Sequence, residues 1–349
     1  MESEKLKNVQ IRLFLAACLL AAPVFAQELK FAQLGEFRLE SGETIRGCRL
    51  GYRTFGTLNA QKSNAVLFPT WFTGTTKELV GLIGPGKLVD PTNYFVITVD
   101  ALGDGVSTSP SNSREQPHMK FPDLTIRDMV NSQHRLAEDV LHIPHLRAVM
   151  GISMGGMQTF QWMVAYPGFM DRAIPIVGSP RLTSYDLLLW QSGIHAIQAD
   201  VNWKGGDYTA PPEAGLRTLA DIDALAIQTP AYRVRHTSPE DFKKFLDASE
   251  RGTIHGFDAN NWIRQAQAMM GHDVSRPFGG DMSKAAAAVK ARVLVIVGLQ
   301  DHMVNPTPAL AFARLLKART LELDSDCGHL TPDCESAKVD AAVAKFLAE

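Results

Sequence analysis

Between residues 31 and 57 apolar side chains recur with a period of two. Phe37, Leu39, Ile45, Cys48, Leu50, Tyr52 and Phe55 carry the pattern, and Gly42 and Gly51 punctuate it. Such alternation predicts antiparallel strands at one edge of a sheet. Further along, the apolar runs become continuous and short: Asn64–Pro69, Tyr94–Val99, Leu146–Met150, Arg172–Val177, Arg292–Val297 and Thr320–Leu323. These read as buried strands. Stretches of helical period alternate with them. Met129, Val130, Leu136, Ala137, Val140 and Leu141 follow a capping-box-like Thr125-Ile126-Arg127-Asp128. Met157 to Ala165 runs to Tyr166-Pro167, Asn305-Pro306 opens a helix to about Ala318, and Glu335–Leu347 reads as a final helix. Strands apolar on both faces, alternating with helices, predict an α/β fold with a mostly parallel sheet covered on both sides.

Two stretches break the rhythm. Residues 100–122 form a long loop rich in Gly, Ser and Pro, a length that usually carries function. From about Leu182 to Met282 strand-like runs vanish. Short helical patterns appear instead, with Trp190, Trp203, Trp262, Met269 and Met270 among them. This predicts a helical cap over 182–283, inserted between core segments 27–181 and 284–349. Packing between helices is the expected role of its Trp and Met side chains.

Residues 1–26 stand apart. Lys5, Lys7 and Arg12 precede an uncharged apolar run from Leu13 to Ala22, and Pro23-Val24-Phe25-Ala26 ends in a small-x-small site. This predicts a secretory signal peptide cleaved after Ala26, and a periplasmic or secreted protein. The run is too short to span a bilayer, so no stable membrane insertion is expected after cleavage. Leu15-Ala16-Ala17-Cys18 fits a lipobox, but the apolar run before Cys18 is short for one. Formal net charge is −2, which gives no reason to expect nucleic acid as a partner. Export implies an oxidising compartment, where Cys327 and Cys334, seven residues apart, are expected to pair; two buried free thiols are the alternative. The chain has no Cys-x-x-Cys or His-Glu-x-x-His motif, so neither metal nor cofactor is called for.

The chemistry centres on Gly151-Ile152-Ser153-Met154-Gly155, set between a strand and a helix. A Gly-x-Ser-x-Gly in that context is the nucleophile elbow of α/β-hydrolases. A serine hydroxyl needs a base to take its proton, and the base needs a carboxylate to hold its tautomer. In this fold the order is Ser, Asp or Glu, then His. Asp301 follows the strand Arg292–Val297 directly; Asp324 and Asp326 lie one connection later. His329, one of ten histidines, sits just beyond the last strand, with His302 and His272 as rivals. The oxyanion hole requires two backbone N–H groups, one from Met154 and one from the loop around Trp71 or Phe72.

Longer motifs resemble the homoserine O-acetyltransferase family of α/β-hydrolases over nearly the whole mature chain. They include Gly-Ile-Ser-Met-Gly-Gly-Met-Gln at 151–158, Phe121-Pro122 with Thr125–Val130, Trp203-x-Gly205-Gly206-x-Tyr208, Pro212-x-x-Gly215-Leu216 and Asp258-Ala259-Asn260. Thr73-Gly74 resembles the end of that family's oxyanion loop, which makes Phe72 the second donor. The resemblance also implies a tunnel to the serine under the cap, and a homodimer formed through the cap. Two positions depart from it. Ile194 falls where the transferases carry the arginine that holds the homoserine carboxylate, and Leu330 where they carry the aspartate that holds its amino group. The expected activity is therefore an exported serine hydrolase cleaving a small acyl ester through acyl-Ser153. The alternatives are an acyltransferase using another acceptor and, more remotely, a non-catalytic binding protein on the same scaffold.

Overall fold

The computed structural model describes residues 28–349. The expected signal peptide, Cys18 included, lies outside them. The described residues form an eight-stranded sheet in the order β1-β2-β4-β3-β5-β6-β7-β8. The strands are β1 (Lys30–Arg38), β2 (Thr44–Phe55), β3 (Ala65–Pro69), β4 (Phe95–Val99), β5 (Leu146–Ile152), β6 (Met170–Ile176), β7 (Arg292–Gly298) and β8 (Arg319–Leu323). β1 pairs antiparallel with β2, and β2 antiparallel with β4; every other pairing is parallel.

Why the parallel strands read as unbroken apolar runs is visible in their packing. Ala65 and Leu67 of β3, Val149 of β5, and Val293, Val295 and Val297 of β7 enter the core on one face. Val66, Phe68, Ala148, Met150, Leu294 and Ile296 enter the core on the other. Successive side chains point to opposite faces, and both faces are dry, so every position must be apolar.

The helices are α1 (Thr76–Leu79), α2 (Ile126–Arg135), α3 (Met154–Ala165), α4 (Ser184–Ala199), α5 (Glu213–Ala226), α6 (Pro230–His236), α7 (Phe242–Gly256), α8 (Ala259–Met270), α9 (Met282–Ala288), α10 (Thr307–Leu316), α11 (Thr331–Cys334) and α12 (Ser336–Ala348). Between β6 and β7 the chain runs through α4–α9 without adding a strand to the sheet. Thr125 caps α2 as its sequence suggests: its Oγ1 accepts from Asp128 N–H at 3.1 Å, and Asp128 Oδ2 accepts from Thr125 N–H at 2.9 Å. Asp128 Oδ1 also accepts from Glu40 N–H at 2.8 Å, tying the cap to the sheet edge.

Some boundaries differ from the sequence reading. β6 begins two residues earlier, at Met170, and β5 continues to Ile152. The loop after β3 ends in the one-turn α1, capped by Thr75 and Glu78, which the sequence pattern does not announce. Past α2 the backbone widens into a π-helical turn over Leu136–Val140, which periodicity alone does not distinguish from α-helix. Among the described residues no helix is long and apolar enough to cross a membrane.

Candidate active site

Ser153 is the single residue between β5 and α3, and its φ is +58°. That conformation is costly for a residue with a side chain and persists only where the surroundings impose it. The surroundings here are two very close backbone approaches. A Cβ at Gly151 would lie 2.3 Å from the carbonyl oxygen of Gly155, and one at Gly155 would lie 2.8 Å from that of Pro69 on β3. Only glycine lets strand and helix meet at this angle. Ser153 N–H donates to Ile176 C=O at 2.9 Å, which anchors the turn to β6.

His329 and Asp301, 28 residues apart in sequence, meet at the ends of β8 and β7. His329 Nδ1 lies 2.7 Å from Asp301 Oδ2, and its Nε2 lies 2.8 Å from Ser153 Oγ. Both residues are buried, and Ser153 is 9% exposed. Asp301 is held as a polar fixture. Its Oδ1 accepts from Met303 N–H at 2.8 Å and from Val304 N–H at 2.9 Å, which leaves Oδ2 for the imidazole.

The rival residues stand elsewhere. Asp324 is exposed and accepts from Gln300 Nε2 at 2.6 Å; Asp326 pairs with Arg235. His302 is exposed. His272 is buried without a partner for its Nε2 among the described residues, and burial pushes its pKa down to about 4, so it is neutral at pH 7.

The loop carrying His329 is braced from two directions. His329 N–H donates to Ile227 C=O at 2.9 Å, just past α5. Cys327 and Cys334 are disulfide-bonded, with Cα atoms 6.6 Å apart. A bridge closing so short a loop removes unfolded-state entropy worth roughly 2 kcal/mol. The Cys327→Ser/Cys334→Ser variant is accordingly expected to unfold at lower denaturant, by about that amount in free energy. An unchanged midpoint would mean that the bridge adds nothing to stability.

After β3 the chain makes a tight turn, closed by Gly74 N–H donating to Trp71 C=O at 3.1 Å. Neither Phe72 N–H nor Met154 N–H has an acceptor among the described residues. The Phe72 ring sits edge-on to Trp190 and Trp262, each with its centroid 5.2 Å away. Downstream, Asp100 at the end of β4 accepts from Thr76 N–H at 2.6 Å and from Thr76 Oγ1 at 2.9 Å, fixing the far end of the loop. Burial raises the Asp100 carboxyl pKa, and these hydrogen bonds act against that rise.

The sequence predicts helix packing for Trp190 and Trp262. They are buried, and the residue they grip is Phe72 itself. Nothing in the sequence singles out Gln265, yet its Oε1 accepts from Thr73 N–H at 3.0 Å across 192 positions of sequence. Ile194 is buried in α4, whereas Leu330, beside His329, is 37% exposed. Among the described residues no cluster of three or more His, Cys, Asp or Glu side chains is placed to hold a metal ion.

Comparison with known proteins agrees with this architecture. Residues 72–333 match the family model for the alpha/beta hydrolase fold. A probable esterase of Corynebacterium glutamicum is 34% identical over 309 residues, covering 86% of this chain and 88% of the relative. The ethyl acetate hydrolase of Pseudomonas veronii is 33% identical over 306 residues, 85% of this chain and 88% of the relative. The homoserine O-acetyltransferase of Methanococcoides burtonii is 31% identical over 353 residues, 90% of this chain and 72% of the relative. Among solved structures, the acetyl esterase MekB superposes with a TM-score of 0.88 at 32% identity, covering 92% of this chain and 97% of that one. Sequence, sheet order and relatives converge: the chain belongs to the α/β-hydrolase family, in the group that joins homoserine O-acetyltransferases with esterases.

Proposed function

We propose that this protein is an exported serine esterase that hydrolyses small acyl esters, acetates among them, through an acyl-Ser153 intermediate. The observation that carries the reading is the continuous chain of hydrogen bonds from Ser153 Oγ through His329 to Asp301. Esterases acting on acetyl esters and ethyl acetate stand among the relatives. The signal-peptide pattern of residues 1–26 supports export.

In the proposed reaction His329 Nε2 takes the Ser153 proton as Oγ attacks the acyl carbonyl. The Phe72 and Met154 N–H groups receive the negative oxygen. His329 then returns the proton to the departing alkoxide, so an alcohol leaves and the acyl group stays on Oγ. Water repeats the sequence, giving the carboxylic acid and free Ser153. The helices between β6 and β7 act as the cap over this site. Tyr185, Leu188, Leu225 and Val234, exposed on α4–α6, support a homodimer formed through the cap.

Acyl transfer uses the same acyl-serine and differs only in what resolves it. Recognition of homoserine requires partners for an ammonium and a carboxylate, each of which costs several kcal/mol to bury alone. Ile194 and Leu330, at the two positions where the transferases carry those partners, supply neither. Incubating the protein with an aryl acetate or acetyl-CoA, with and without homoserine, tests this directly. Acetate is expected in both cases, with no saturable formation of O-acetylhomoserine. Efficient O-acetylhomoserine production would overturn the hydrolase reading.

A further inference from the structure

Gln265 of α8 reaches from the cap into the loop that follows β3. Its side chain is 1% exposed. Its Oε1 accepts from Thr73 N–H at 3.0 Å, and its Nε2 donates to Leu102 C=O at 3.3 Å. Thr73 occupies the third position of the turn Trp71–Gly74, with φ at +60°. A β-branched residue is poorly suited to that region, which turns of this kind normally fill with glycine or asparagine. The turn therefore needs an external hold, and the amide oxygen of Gln265 is the acceptor for the Thr73 N–H.

The same helix face is docked on the neighbouring loop at three more points. Asn261 Oδ1 accepts from Ser111 N–H at 3.0 Å, its Nδ2 donates to Ser111 Oγ at 2.8 Å, and Arg264 donates to Met119 C=O at 2.9 Å. Positions 261, 264 and 265 fall on one face of a helix, so α8 sits as a rigid body against residues 102–119. Phe72 is then restrained twice: its ring lies against Trp190 and Trp262, and the peptide after it is fixed by Gln265.

We infer that Gln265 is a positioning residue for the oxyanion hole, so that the cap, besides covering the serine, sets the direction of the Phe72 N–H. The inference rests on the proposed acyl-serine chemistry, in which that N–H meets the developing oxyanion. A donor aimed at a transition-state charge contributes to kcat and little to ground-state binding.

The test compares Gln265→Met, which removes both hydrogen bonds, with Gln265→Glu, which keeps an acceptor for Thr73. Complete loss of an oxyanion donor costs roughly 10²–10³-fold in kcat, and a misaimed donor less. Gln265→Met is expected to lower kcat about 10–100-fold with KM within about threefold. Its affinity for a tetrahedral boronic acid adduct of Ser153 should fall in parallel with kcat. Gln265→Glu is expected to recover most of both. A merely structural role would lower the amount of folded protein, read by fluorophosphonate titration of Ser153, without changing kcat per titrated site.

Should Gln265→Met fail to fold, Gln265→Asn, which keeps a buried amide but shortens its reach, replaces it with the same expectation. Full kcat per titrated site in Gln265→Met or Gln265→Asn, or equal loss in the Glu variant, would overturn the inference. Wild-type activity without Ser153 would instead overturn the esterase reading on which it stands.

Discussion

Ser153→Ala is expected to lower kcat by roughly 10⁴-fold or more while leaving the fold intact. The size of the loss follows from removing the atom that forms the acyl bond; what remains is the catalysis that oriented N–H groups give to direct attack by water. The fold should survive because the change is small where the side chain is concerned. Among the described residues Ser153 Oγ makes one hydrogen bond, to His329, and a single such bond is worth about 1 kcal/mol net. The positive φ at 153 is imposed by the close approach of Gly151 to Gly155 and of Gly155 to Pro69, and alanine meets it with the same Cβ that serine has. Unfolding midpoint and kcat, measured on the same preparation, check both halves. Activity within tenfold of the parent would place the nucleophile elsewhere. Unchanged labelling by a fluorophosphonate would say the same.

The elbow was legible because most of its constraints are local. A parallel strand buried on both faces must be apolar throughout, so Leu146–Met150 announces itself, and the glycine at 151 is dictated by Gly155 four residues on, while the glycine at 155 answers to Pro69 of β3. Asp301 and His329 were legible for a different reason. In an open α/β sheet, loops at the carboxyl ends of strands converge, so chain order alone brings together the ends of β5, β7 and β8. The strand ends were less sharp. Gly151 and Ile152 remain paired with Pro175 and Ile176 in β6, a pairing set by the partner strand and invisible in the run itself.

What the sequence hid lies in contacts across its length. Thr73 carries a conformation that residue type argues against, and the group that stabilises it sits in α8. No spacing rule links the two. Trp190 and Trp262 look like any helix-packing aromatics until the fold brings Phe72 between them. The same applies to Ile227, whose carbonyl receives the His329 N–H only because the end of α5 comes down beside the last loop. The part that α4 and α8 take in the site is thus a tertiary property, whereas Ser153, Asp301 and His329 follow along the chain in the order the fold leads one to expect.

Asp301→Asn is expected to lower kcat by roughly 10³–10⁴-fold with little change in stability, and the geometry explains both. Asp301 Oδ1 accepts two backbone N–H groups, from Met303 and Val304. An asparagine must keep its oxygen there, since turning its NH₂ toward two donors would leave all of them unpaired in a buried site. Its NH₂ then faces His329 Nδ1, 2.7 Å from the atom it replaces. A neutral imidazole carries one donor and one acceptor. Nδ1 becomes the acceptor, so the proton moves to Nε2, which points at Ser153 Oγ. The base is thereby presented in the tautomer that cannot take the serine proton, and the carboxylate that would stabilise the imidazolium is gone. Asp301→Ala should differ in a diagnostic way: it frees the imidazole from the wrong tautomer but strands the Met303 and Val304 N–H groups. Its unfolding free energy is expected to fall by about 1–3 kcal/mol, where that of the asparagine variant stays near the parent's. Kinetics and denaturant unfolding of the two variants side by side decide the matter. An asparagine variant with near-parental kcat would show that His329 does not depend on Asp301 for its tautomer.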